Sequence, residues 1–144
     1  MPVNSSKFTV NVTTSLAALP IGNTPSSAYT YFLGNDSGVT ISFDNPTGSG
    51  GTFNALAIKK VDPNGNVKQW FASTPSNDFA TAVSVMPDIS GGNSGTPPNN
   101  IPAGSSAYVV VIPNGASGIQ IFGQGSAAIT GLVITIEEFS TAAI

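Results

Sequence analysis

The chain has 144 residues, the usual size of one domain, and 8% of them are charged where an ordinary soluble domain has about 25%. Its only cations are four lysines, it has no His and no Cys, and its net charge is −3. These counts argue against a nucleic-acid partner, which needs basic groups for its phosphates, and exclude thiolate chemistry and a disulfide framework.

The first residues, MPVNSSKFTVNVTTS, hold no basic segment followed by an apolar run, so no secretory signal is expected. No apolar stretch approaches the roughly 18 residues that cross a bilayer, so no membrane partner is expected. Met1–Lys7 reads as an N-terminal arm. KFTVNVT then places Phe8, Val10 and Val12 on one face and Thr9, Asn11 and Thr13 on the other. That period of two marks a strand with one buried and one wet face. Ser15–Leu19 allows at most one short helical turn.

AYTYFL (28–33) is the next expected strand, by its aromatic content. GVTISFD (38–44) repeats the alternation with Val39, Ile41 and Phe43 inside. FNALAIKK (53–60) and VKQWFA (67–72) flank the turn-forming Asp62-Pro63-Asn64-Gly65 and form an expected hairpin. ATAVSVM (80–86) is a weaker strand. SAYVVVI (106–112) and GIQIF (118–122) flank Pro113-Asn114-Gly115 and read as a second hairpin. Gly123-Gln124-Gly125-Ser126 is expected to break the chain before GLVITIE (131–137), whose Leu132, Ile134 and Ile136 share a face. That segment resembles 38–44, as two half-buried strands converge on one pattern.

The fold expected is all-β: one domain over 1–144, an antiparallel β-sandwich of eight or nine short strands, jelly-roll or Greek-key-like. Three long polar loops accompany it, Thr14–Ser27, Asn45–Thr52 and Pro87–Gly104, with a C-terminal tail over Ser140–Ile144.

An enzyme is not expected. General acid–base work at neutral pH recruits His or a carboxylate pair, and neighbours on a strand such as Glu137 and Glu138 point to opposite faces. They read instead as charges guarding an edge strand. Asp62-Pro-Asn64-Gly-Asn66 has calcium-loop spacing, but Val67 stands where Gly is needed and Ser73 where the bidentate Glu belongs. Gly123-Gln-Gly125-Ser-Ala-Ala128 is followed by a strand, so no helix N-terminus awaits a pyrophosphate. No metal and no cofactor are expected. Sequons at Asn4, Asn11 and Asn35 lack an export signal to give them meaning.

Two sets of contact residues remain. Long structureless loops in a small domain are commonly functional. Pro87–Gly104 holds a single charge, Asp88, and its Ile89, Pro97, Pro98, Asn99, Asn100 and Ile101 suit docking on another surface, as does Ile144 of the tail. Alternatively Trp70, Tyr29 and Tyr31 stack sugars, or fill the sandwich as half-buried strand aromatics.

At Ile101-Pro-Ala-Gly-Ser-Ser-Ala-Tyr-Val-Val-Val-Ile-Pro-Asn-Gly115 the chain resembles the small β-sandwich proteins of virus particles. Its wider style, rich in Ser, Thr, Asn, Gly and Ala, is similar to the capsid decoration (cement) and fibre proteins of tailed phages. The resemblance implies a non-enzymatic component on the exterior of the virion, made in the host cytoplasm. It implies binding across capsomers of a major capsid protein, often as a trimer, and reinforcement of the shell. A sugar-binding module or receptor-binding tip is the alternative.

Overall fold

Alternating side chains can be buried only if a second sheet covers the apolar face, and two sheets result. The computed structural model describes residues 2–34, 37–61, 67–72, 89–90, 101–111 and 118–140. Among these there is no helix, and ten strand segments run as β1 (Pro2–Val12), β2 (Ala17–Ala18), β3 (Tyr31–Phe32), β4 (Ser37–Asn45), β5 (Phe53–Val61), β6 (Val67–Ala72), β7 (Ile89–Ser90), β8 (Ser105–Val111), β9 (Gly118–Gly125) and β10 (Ile129–Ser140).

One sheet has the order β1-β10-β4-β8-β7 and the other β2-β9-β5-β6, with β3 beside β2 on the same edge of β9. Every pairing is antiparallel. The pairs nest: β1 with β10, β3 with β9, β4 with β8, and β5 with β6 at the centre. The chain is thus one long ribbon doubled back at the β5–β6 hairpin and rolled up. Contacts β10–β4 and β9–β5 then complete the two sheets. With β2 and β3 taken as one interrupted strand and β7 as an edge addition, this is jelly-roll connectivity.

The inward residues follow parity within each strand, save in β5, where a register shift between Ala55 and Ala57 moves the inward set from Phe53 to Ile58. Val10, Val12, Ile41, Phe43, Ala107, Leu132, Ile134 and Ile136 of the first sheet meet Tyr31, Phe53, Ile58, Ile119 and Ile121 of the second in one buried cluster. Two ring pairs cross the interface: Phe43 with Phe53 at 5.5 Å between centroids, and Phe8 edge-on to Tyr31 at 6.1 Å. Such pairs contribute about 0.5–1.5 kcal/mol beyond the area they bury.

Several expectations change. The N-terminal arm is a strand from Pro2 onward, registered against the end of β10 (Ser5 opposite Glu137), so it does not protrude. The helical turn at Ser15–Leu19 is instead the edge segment β2, whose alignment continues where Leu19 N–H donates to Ile121 O. Only Tyr31–Phe32 of 28–33 is strand. The segments 106–112 and 118–122 form no hairpin: β8 pairs with β4 in one sheet and β9 with β5 in the other, because jelly-roll connections cross between sheets. Gly123 and Gly125 do not end β9 but continue it, since the Phe53 ring lies against Gly123, where a Cβ would come within 2.7 Å of it. The hairpin expected over 53–72 is present as β5–β6. The expected strand at 80–86 lies outside the described residues.

Phe53 holds this arrangement, packing on Gly123, Phe43 and the core. Phe53→Ala is expected to lower stability by about 3–5 kcal/mol. A urea midpoint within experimental error of the wild type would show that the sheets are not held by this ring.

Candidate functional site

Four connections meet at one end of the sandwich: residues 13–16 after β1, 46–52 between β4 and β5, 101–104 before β8, and 126–128 between β9 and β10. Register forces the meeting, since Val12 faces Ile129, Asn45 faces Ser105 and Phe53 faces Gly125. Backbone bonds join them. Thr130 N–H donates to Ser49 O, Gly104 N–H to Asn45 O, and Gly125 N–H to Thr13 O. Ile101 and Phe53 exchange both of their backbone hydrogen bonds.

Asn45 sits at the centre and is 2% exposed. Its Nδ2 donates to Gly51 O and to Ile101 O, each at 2.8 Å, and its Oδ1 accepts from the Ser49 hydroxyl. Only an amide has two donors and an acceptor at this position; a carboxylate has no donor. Each buried carbonyl left unpaired costs about 1–3 kcal/mol, so the side chain links the 46–52 turn to the end of the long loop. Gly50 completes the turn at φ +110°, where a Cβ would stand 2.8 Å from Ala128 O.

The outward surface of this end is made of TTSL, PTGSGGT, IPAG and SAA. None of these segments carries a charge, and apart from buried Ile101 and half-buried Leu16 they hold only small or ring-locked side chains. Among the described residues the other charges lie along the strands or towards the other end: Lys59 and Lys60 close β5, Lys68 opens β6, and Glu137 and Glu138 stand near the end of β10. Asp44, next to Asn45, points out from the sheet.

Glu138 is the second polar feature. β10 lies between β1 and β4, so the two glutamates are not edge charges. Glu137 faces water, while Glu138 is 3% exposed among the inward residues. It accepts from the Tyr31 hydroxyl at 3.1 Å and from Gly34 N–H at 2.8 Å, and the Tyr31 oxygen also lies 3.3 Å from Ser6 Oγ. The carboxylate therefore ties the two sheets together by charge-assisted bonds.

The residues expected to make contacts are scattered. Ile101 is 3% exposed and belongs to the core, so its side chain is not available to a partner; the bridge to Phe53 pulls it inward. Tyr31 is 1% exposed, which removes it from any sugar platform, while Tyr29 is half-exposed. Ile89 lies in β7 opposite Val109, and Trp70 lies in β6 opposite Lys59. Pro97, Pro98, Asn99, Asn100 and Ile144 fall outside the described residues. Three features were missed: Asn45, Glu138 and the half-exposed Tyr108. Parity pointed to Glu138, which continues the inward series Leu132, Ile134, Ile136.

Among the described residues no group of three or more His, Asp or Glu side chains is placed to hold a metal ion, and no helix is long and apolar enough to cross a membrane. Comparison with protein families, characterised proteins and solved structures found no match to this chain.

Burial, the largest cause, together with the Glu138 carboxylate raises the Tyr31 phenol above its ordinary value of 10.0, against an opposing pull from Ser6. Unfolding therefore favours ionisation of Tyr31 at high pH. The stability this group contributes is complete below pH 10.0 and is lost as pH rises through the folded-state value. Urea midpoints at pH about 8 and about 11 are expected to fall further for the wild type than for Tyr31→Phe. Equal losses would contradict this assignment.

Proposed function

We propose that this chain is a non-enzymatic structural protein of a virus particle, a decoration or cement protein on the exterior of a phage capsid. It binds across capsomers of a major capsid protein and stabilises the shell. The observation that supports this reading is the charge-free loop end, prefolded on a rigid jelly roll by Asn45. Such a surface docks without stripping water from ions, which is the main cost of bringing charged surfaces together. It is already ordered, so little entropy is lost on contact. Repeated over many copies on a shell, modest contacts sum through multivalency.

The jelly roll alone does not assign function, because unrelated activities share it. What narrows the reading is the side-chain repertoire. With no His and no Cys in the whole chain, adhesion is better served than turnover. The sugar-binding alternative keeps Tyr29 and Trp70 but loses the paired platform, because the Tyr31 ring lies in the core. Pro97, Pro98, Asn99 and Asn100, which lie outside the described residues, stay in the proposed contact on their uncharged composition alone.

The test is co-sedimentation of the purified chain with empty shells of its parent virus. Wild type is expected to bind saturably. Thr47→Asp and Ala127→Asp, which place a charge on the loop end, are expected to weaken binding at least about tenfold, the effect of burying one uncompensated charge worth about 1.4 kcal/mol or more. Ala28→Asp, on the exposed segment beside the other sheet, is the control and is expected to bind normally. Absence of binding to the shell, or equal binding by all variants, would refute the reading. Shells formed by the chain alone would assign it as a capsid subunit instead.

A further inference from the structure

The outer face of the β1-β10-β4-β8-β7 sheet presents cross-strand rows fixed by register. The middle row is Lys7, Thr135, Ser42 and Tyr108, in that order across four strands. The row on one side is Thr9, Val133, Asp44 and Ser106. On the other side Ser5, Glu137 and Thr40 align. These residues are exposed or half-buried, whereas their neighbours Ile134, Phe43 and Ala107 are buried. Lys7 therefore stands on β1 at one margin of the face, and Tyr108, 42% exposed, lies three strands away on β8, beside Ser90 of the marginal β7. Asp44 is the diagonal neighbour of Tyr108. The side chains of Lys7, Asp44 and Tyr108 hold no hydrogen bond or ion pair among the described residues.

A large ring left in water on an otherwise hydroxyl-rich face has no part in the core. Its π-face attracts a cation, and among the described residues of this face there is one, Lys7, three strands away on β1. We propose that a second copy of this chain docks face to face on this sheet, about a two-fold axis running along the strands between β10 and β4. That operation exchanges β1 with β8 and β10 with β4. Each Lys7 then lies over the other copy's Tyr108 ring, within reach of its Asp44, and Thr135 lies over Ser42. Glu137 meets the Thr40 hydroxyl. The other in-plane two-fold, running across the strands, sets Lys7 on Lys7 and Tyr108 on Tyr108, and is rejected by like-charge repulsion.

The contact is isologous, so each favourable pair occurs twice. The face is small, four to five strands wide at about 4.8 Å spacing, and suits a pair that separates on dilution. This inference concerns the chain alone and does not depend on the virion reading. It also gives two-fold association where the resemblance implied a trimer.

The test is sedimentation velocity of the full chain over a wide concentration range. Wild type is expected to show a monomer–dimer equilibrium. Lys7→Glu and Tyr108→Ser, both at exposed positions, are expected to raise the dissociation constant about tenfold, two cation–π pairs at about 0.5–1 kcal/mol each. Lys7→Glu combined with Asp44→Lys is expected to recover most of that loss. Because the chain has no Cys, single variants Thr135→Cys and Ser42→Cys can be mixed and treated with a short bismaleimide. That linker spans the roughly 10 Å between stacked sheets and is expected to yield the 135–42 conjugate. A monomer at every concentration, a trimer, or a dimer indifferent to both Lys7→Glu and Tyr108→Ser would overturn the proposal.

Discussion

The carboxamide of Asn45 is the interaction on which the uncharged loop end of the sandwich depends. It lies where β4 leaves the sheet, and it holds the carbonyls of Gly51 and Ile101. Without it the glycine-rich turn and the Ile101 segment would be held only by backbone bonds, the Thr52 bond to the Ser126 hydroxyl and the burial of Ile101. With it, loops distant in sequence become one surface continuous with the core. Ile101 shows this most directly, because the backbone exchange with Phe53 and the bond from Asn45 turn a loop residue into a core residue.

The same economy governs the other polar group inside. Glu138 joins the first sheet to Tyr31 and Gly34 of the second sheet's border. A buried carboxylate is costly unless well bonded, and here it receives both a hydroxyl and a backbone amide. The two polar ties differ in placement. Asn45 organises the uncharged end, while Glu138 fastens the sheets nearer the end where the charged strand termini gather.

Much of this was legible in sequence. Period-two patterns named the inward residues of β1, β4 and β10 correctly, because each of those strands has one dry face. The β5–β6 hairpin was legible from its turn residues. What failed has a physical cause in each case. Strand proximity suggested that 106–112 and 118–122 pair, but pairing in a rolled ribbon is set by tertiary closure, not by nearness along the chain. Gly123 and Gly125 looked like a break, yet a close-packed ring needs a residue without a side chain there. Tyr31 was open to two readings, a sugar-stacking ring or a strand aromatic filling the sandwich, and the second holds; Tyr29 is half-exposed because it lies on a loop, where alternation no longer applies. Asn45 continues the inward series Val39, Ile41, Phe43, but its three bonds, to Ser49, Gly51 and Ile101 through the folded corner, carried no sequence signal. Glu138 was within reach, had the inward series been followed two residues further.

Grip by an uncharged, preordered surface has a property that charge-guided adhesion lacks. Ion pairs and steering fields weaken as salt shortens the Debye length from about 14 Å at 0.05 M to about 4 Å at 0.5 M, whereas neutral contacts do not depend on it. The most direct measurement is the affinity of the chain for the capsid shell proposed as its partner at those two salt concentrations. The account predicts dissociation constants within about twofold of each other. A fall in affinity of tenfold or more at the higher salt would contradict it, placing the grip on the charged strand ends instead.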